Sequence, residues 1–344
     1  MKHMKFQMKI LTGFLILLLG INLWLGIPVR PLLKDLLIRL PMNGLFVLSL
    51  VPMLNAGMGF NFGMPVGILS GLLGISTVMN LGLRGMGGFL AAVLLSILLC
   101  TVSGGLYGRV LLRASGKEEI SGNFLGLALV PLFCILWVII PFHNPVMIYP
   151  VGGQGLRPKI GLDGYYTRII EDLLKVEIEG LVIPVGYILC FLGICFAVWL
   201  LFRSSLGQNI LAIGENEAYC DLMGLPVLRI KKQSVIFSTI LAGIGICFYS
   251  QSYGYLELYN APKAVAFSAV SAILIGGCSE HHGRVSQVIW GTLVFHGIYV
   301  FSIPLANELF IPELAEICRT ILTNLIILLA MFRIDRRKKH LEKK

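Results

Sequence analysis

Leu40–Leu83 reads LPMNGLFVLSLVPMLNAGMGFNFGMPVGILSGLLGISTVMNLGL and holds no charged side chain. A helix needs about 20 apolar residues to cross a hydrocarbon core, so this stretch is long enough to cross twice. A tight turn near Gly59–Pro65 separates the two crossings. Gly59, Gly63, Gly67 and Gly71 fall four apart and Gly74 follows, a spacing at which small residues let helix backbones approach closely in lipid. Pro65 lies within the run, and a helix reaching it is broken or kinked. Backbone freed in this way is tolerated in a membrane mainly where it lines a cavity. Asn55, Asn61, Gly63, Pro65 and Gly67 are therefore the candidate wall of a translocation pathway, with plain close packing of the glycines as the alternative.

The rest of the chain has the same character. Of 344 residues, 56% are hydrophobic and 13% charged, with mean hydropathy +0.84. Soluble domains carry about 25% charged residues, and a water-soluble core of this size cannot hold so many apolar side chains. An all-α polytopic membrane protein follows. Further uncharged runs are Ile10–Ile27, Gly85–Gly108, Ile120–Phe142, Gly180–Phe202, Gln233–Leu256, Ala264–Ser279 and Val285–Asn307. Thr320–Phe332 reaches crossing length with Glu316 and Arg319 snorkelling to the interface. Together these predict about ten helices within 10–332, some of them discontinuous. The first run follows three lysines and resembles a signal peptide. No small-x-small cleavage site comes after it, so a retained anchor is expected.

An even number of crossings puts both termini on one side. Eighteen of the 28 Lys and Arg fall on that side and ten on the other, so the positive-inside rule predicts cytoplasmic termini. The net charge of +10 then reads as basic loops facing anionic membrane lipid, and nucleic acid is excluded as a partner. On this topology 143–179 is an extracytoplasmic loop. Tyr166, Ile169, Ile170, Leu173 and Leu174 recur there at helical spacing and predict an amphipathic interfacial helix over Tyr165–Val176. Residues 203–232 form a cytoplasmic loop, and 333–344 a basic cytoplasmic tail that frays.

Several chemistries have no residues to carry them. Eight cysteines occur, most inside spans, and none forms a CxxC pair or a pattern with His, so neither metal nor disulfide framework is implied. Gly116-Lys117 is the nearest approach to a phosphate-binding loop and lacks the rest of it. No catalytic constellation is present, and the chain is not expected to be an enzyme. Ion-coupled carriers usually keep a carboxylate or lysine deep in a helix. Here the span interiors hold His296, read as a hydrogen-bonded structural residue, and the amides Asn22, Asn55, Asn80 and Asn324. The driving energy is therefore expected from another chain. An ion-coupled secondary transporter working alone is the alternative, and a non-transporting scaffold a third.

The inner loop is the most informative stretch. Gly207–Val227 is too long for a tight turn, moderately polar, and stopped by Gly224 and Pro226. It predicts a short helix of about two turns. Within it, Ala212-Ile213-Gly214-Glu215-Asn216-Glu217-Ala218 with Gly224-Leu225 downstream resembles the A-[IV]-G-x-N loop of bacterial ABC-importer permeases of the branched-chain amino acid/ribose type. Ile275-Gly276-Gly277-Cys278-Ser279 followed by Gly283-Arg284 is similar to that family's G-G-x-S turn, and Gly57–Gly74 corresponds to its glycine-rich region.

The resemblance covers nearly the whole chain and implies the permease subunit of an uptake system in the bacterial plasma membrane. It would act as a dimer with a second copy or a paralogue, alongside cytosolic ABC ATPase subunits and an extracytoplasmic solute-binding protein. ATP and Mg would be used by the ATPase partners, with no cofactor bound by this chain. Gly214, Glu215, Asn216, Glu217, Ala218, Asp221 and Gly224 would form the loop that seats on the ATPase. Gly276, Gly277, Ser279 and Gly283 would form a cytoplasmic turn, and the outer loop 143–179 would touch the binding protein. Sugar permeases of the family often carry D-L-S-x-G where Asn61-Phe62-Gly63-Met64-Pro65-Val66-Gly67 stands here. The substrate thus stays open, with simple sugars or nucleosides ahead of branched-chain amino acids. Glu280-His281-His282 also departs from the family's uncharged residues, and His281 and His282 are read as solvated loop residues.

Overall fold

The computed structural model describes residues 2–309 apart from 115, 149–154, 179 and 280–281. The predicted span Thr320–Phe332 with Asn324, the basic tail 333–344, Glu280 and His281 lie outside the described residues.

Helix α1 (Lys2–Trp24) is followed by α2 (Val29–Ser49) and α3 (Val51–Asn55), with only Leu50 between the last two. Val29–Asn55 is in effect one apolar rod of 27 residues. It begins well before the uncharged stretch, and Arg39 and Asp35 within it neutralise each other. Arg39 Nε donates to Asp35 Oδ2 one turn back at 2.8 Å, and its guanidinium lies 5.2 Å over the Tyr299 ring. Helix α4 (Pro65–Asn80) carries Pro65 in its first turn, where the missing N–H costs nothing. Pro65 thus opens a helix rather than kinking one, and the break is the segment 56–64 ahead of it.

Helices α5 (Gly85–Arg113) and α6 (Glu118–Ile139) come next. The outer segment holds β1 (Lys159–Gly161), α7 (Ile169–Leu173), β2 (Lys175–Ile178) and β3 (Leu181–Pro184). Helix α8 (Val185–Arg203) leads to α9 (Ser205–Glu215) and α10 (Glu217–Leu222), then to α11 (Val227–Tyr253) and β4 (Tyr255–Glu257). Helices α12 (Ala261–Ile275) and α13 (Val285–Leu309) complete the described chain.

Six of these helices are long and apolar enough to cross a bilayer: Val29–Asn55, α5, α6, α8, α11 and Val285–Leu305 of α13. Met8–Trp24, α4 and α12 are shorter apolar helices. The charge gaps predict nine crossings up to Asn307. The two accounts differ by these three helices: the apolar part of α1 is only Met8–Trp24, the break at 56–64 truncates α4, and a glycine turn ends α12 at Ile275. The helices also sort by burial. In the most apolar 18-residue stretch of each, 72% and 67% of the residues of Val29–Asn55 and α11 are buried, against 28%, 22% and 28% for α5, α6 and α8. Leu90, Leu94 and Leu98 of α5 point outward, an apolar stripe at helical spacing suited to lipid. Helix α4 packs between α5 and α11, and α11 against α2.

The outer segment departs from the interfacial helix predicted there. Only Ile169–Leu173 is helical. Tyr166 and Ile170 are buried in the core, Leu173 and Leu174 face outward, and Val176 belongs to a strand. The apparent helical spacing is shared among a turn, a short helix and a hairpin. That hairpin pairs Lys175 with Pro184 through Ile178 with Leu181. Strand β1 pairs antiparallel with β4 at the end of α11, tying the segment to the bundle.

Candidate functional site

The inner loop is two helices rather than one of two turns. Ser204 Oγ accepts from the Gly207 N–H at the start of α9, and Asn216 Oδ1 accepts from the Tyr219 N–H at 3.0 Å to start α10. Both are good N-caps, and Asn216 therefore divides the loop. Gly224, at φ 78°, ends it in a left-handed turn, with the Leu225 N–H bonded to the Cys220 carbonyl at 3.1 Å. Ile210 and Ile213 are buried, and so is Cys220. Glu215, Asn216, Glu217, Ala218, Asp221 and Gly224 are exposed. Tyr219, Leu222 and Met223 form an apolar tip at 59%, 87% and 66% exposure, which the sequence reading missed. Glu217 is engaged within the chain, its Oε2 lying 2.5 Å from Nζ of the buried Lys231.

Gly214 is where this loop meets the membrane helices. A Cβ there would lie 2.1 Å from the Asn55 carbonyl oxygen, so only glycine allows the two backbones to touch. Asn55 also holds the second landmark. Its Nδ2 donates to the Gly283 carbonyl at 3.0 Å, and its Oδ1 accepts from the Gly283 N–H at 2.8 Å. Around Gly283 the turn closes through the Ser279 N–H on the His282 carbonyl at 3.1 Å. Gln287, which carries no sequence signal, braces the turn: Nε2 donates to the Gly277 carbonyl, and Oε1 accepts from the Arg284 N–H and the Cys278 thiol. Burial pushes that thiol up to about 12, so it acts as a donor. Gly276 packs so closely that a Cβ would lie 2.0 Å from the Gln287 carbonyl. His282 Nε2 stands 3.5 Å from Glu215 Oε1 and links the turn back to the loop.

The remaining candidates line the break. Asn61 Nδ2 donates to Ser238 Oγ at 2.8 Å, and its Oδ1 accepts from the Tyr107 hydroxyl at 2.9 Å. Ser238 in turn donates to the Ser49 carbonyl. The Phe60 N–H donates to Glu119 Oε1 at 2.7 Å. A Cβ on Gly63 would meet the Tyr107 hydroxyl at 2.1 Å, and one on Gly67 the Thr239 carbonyl at 2.5 Å. Asn55, Asn61, Gly63, Pro65 and Gly67 are all buried, with these polar groups satisfied by protein. Tyr107, Ser238 and Glu119 are single polar residues in apolar or loop context, and spacing alone could not single them out. His296 lies apart from this site, buried on α13 with its ring edge-on to Phe295.

Six apolar helices of crossing length, with polar loops pinned to one end of the bundle, define a multi-pass membrane protein. Residues 32–332 match the branched-chain amino acid transport system permease component, and the chain belongs to that family. It is 25% identical over 238 residues to a putative glucose ABC transporter permease of Haloferax volcanii, covering 63% of this chain and 67% of the relative. Identity to an L-arabinose ABC transporter permease of Azospirillum brasilense is 29% over 31% of this chain and 35% of that one. A nucleoside ABC transporter permease of Lactococcus lactis is 23% identical over 35% of this chain and 38% of its own. The chain thus spans about two thirds of the first relative and little more than a third of the other two. No solved structure matches it at a significant level. The protein is a plasma-membrane permease subunit of the ABC importer class, a transport component from a family that in general pairs with ATPase and binding-protein subunits.

Proposed function

We propose that this permease passes a small polar solute, a simple sugar or nucleoside ahead of a branched-chain amino acid, under the drive of ATPase subunits seated on α9 and α10. The observation that carries the reading is the junction at Gly214, where the exposed loop touches the backbone of Asn55 at the lip of the helix break. A push on α9 is delivered there to the segment 56–64 and, through Asn55, to the Gly283 turn. The ATPase would grip the apolar tip of α10 and the carboxylates of Glu215 and Asp221. ATP and Mg would be held by those subunits and not by this chain. The relatives that carry glucose, arabinose and nucleosides support the ranking of substrates.

In this reading both termini are cytoplasmic, ten helices cross, and the whole chain acts as a single permease domain. Its 143–179 face turns to a solute-binding protein, and a second copy or a paralogue completes the pathway. ATPase closure draws the two coupling loops together and switches the assembly by rigid-body movement. Asn55, Asn61, Gly63, Pro65 and Gly67 then exchange partners as the wall opens. Affinity capture of the full chain from its native membranes, followed by mass spectrometry, tests this. Co-capture of a P-loop ATPase and a solute-binding protein is expected. Capture of the chain alone, with uptake that follows an ion gradient, would establish a secondary transporter instead.

A further inference from the structure

Among the described residues Lys231, near the start of α11, is the only buried lysine or arginine, at 5% exposure. An ammonium taken out of water needs an anion against it. Glu217 supplies one, its Oε2 lying 2.5 Å from Nζ. The two ends of the pair differ in kind. The lysine side chain is 6% exposed and that of Glu217 52%, so the fixed charge belongs to the bundle and its partner comes from the loop.

Glu217 opens α10, and Cys220 a turn later is the buried residue of that helix. Tyr219, Leu222 and Met223 face outward, so α10 holds the bundle on one side and presents its tip on the other. Asn216 separates α10 from α9, and the Gly214 junction with Asn55 therefore acts on α9 alone. Among the described residues no other ion pair or side-chain hydrogen bond joins α10 to α11. At the other end of α11, Ser252 and Tyr253 line a charged cleft of about 410 Å³ with Asp35 and Arg39 of α2 and with Arg168.

We propose that Lys231 is a positioning residue for transport, its pair with Glu217 serving as a strut that ties α10 to α11. A partner that shifts the exposed tip of α10 then carries α11 with it, by a route separate from the Gly214 junction. An apolar contact slides, whereas an ion pair in a water-poor place holds one register, the best-attested use of buried charges. The proposal rests on the importer reading. It adds a second path from loop to bundle and gives Glu217 to the chain itself, leaving Glu215 and Asp221 to the ATPase.

The test is hydrogen exchange on the assembly captured through the full-length chain, held in lipid nanodiscs with ATP and vanadate or without nucleotide. In the parent, nucleotide should alter exchange both at 217–222 and at 250–257. Lys231→Met leaves no buried charge, and the released Glu217 is already half exposed, so this variant should melt close to the parent. Its amides over 217–222 should exchange about tenfold faster without nucleotide, the response at 250–257 should vanish, and the ATPase should still be captured. Lys231→Arg keeps a cation for Glu217 and should restore the response. A response at 250–257 that survives in Lys231→Met, or loss of the ATPase from that variant, would overturn the strut. So would ATPase capture by a parent whose 250–257 amides ignore nucleotide, with the importer reading left standing. A parent that captures no ATPase would sink the importer reading, and the strut's role in transport with it.

Discussion

Asn55 joins segments 228 positions apart, because one amide fits both the N–H and the carbonyl of Gly283. Asn55→Ala leaves both groups unpaired in a buried place, at about 1–3 kcal/mol for each. We expect a lower thermal midpoint in detergent and ATP hydrolysis no longer tied to uptake; an unchanged midpoint would contradict the role. The sequence marks Asn55 as a polar residue in an apolar run but is silent on its partner, since nothing local encodes a contact across the whole chain. Glu171 shows the same limit. Burial raises its carboxyl above the ordinary value of 4.5, against the lowering effects of the Ser252 hydroxyl, Arg168 and Lys175. A raised folded-state value means the folded chain holds the proton more tightly than the unfolded one. That stabilisation is complete below about 4.5 and is lost as pH rises through the folded-state value. Glu171→Gln should therefore flatten the fall in thermal stability with pH over that window, and equal slopes in variant and parent would count against it.

Helix α4 is legible in the sequence as a glycine stripe, and the stripe proves to be a packing face. A methyl on Gly71 would lie 2.4 Å from Ile246 Cγ2 and 2.9 Å from the Gly243 carbonyl of α11. Gly71→Ala should cost roughly 1–3 kcal/mol by forcing the helices apart. Gly105→Ala on α5 has nothing within 4 Å and should be neutral or gain up to about 1 kcal/mol of helix propensity. Melting both variants side by side tests the packing; equal effects would refute it. At the loop helices the two glycines differ in kind. Gly214→Val drives a side chain into the Asn55 carbonyl and should abolish coupled uptake while leaving ATP hydrolysis by the assembled transporter. Gly224→Ala meets no atom and carries only left-handed strain, about 1–2 kcal/mol. Equal transport by both would remove Gly214 from the coupling route. Helix ends were the least legible feature. Charge gaps misplace the start of α2, where Arg39 carries its own carboxylate partner, and the period over Tyr165–Val176 misleads because three elements share it.

For the whole molecule, composition was a sufficient guide: so few charges in so apolar a chain admit an inner set of helices wrapped by lipid-facing ones. The outer segment was not legible, since its order comes from β1 pairing with a strand far along the chain and from Tyr166 sinking into the core. Two rods then set how its ends communicate. Helix α11 spans 27 residues, about 40 Å, and the Val29–Asn55 rod lies against it over a similar length. Each reaches the charged cleft at one end and the Gly214 junction or its neighbouring loop at the other. Binding free energies linked through such shared bodies are reciprocal. To whatever factor seating of a partner at the loop tightens or loosens the hold on solute some 40 Å away, solute must alter the partner's affinity by that same factor. A site that gripped its cargo equally in every state would be deaf to any motor at the loop. On the importer reading proposed above, coupling along these rods then requires that the cargo be held differently before and after the stroke.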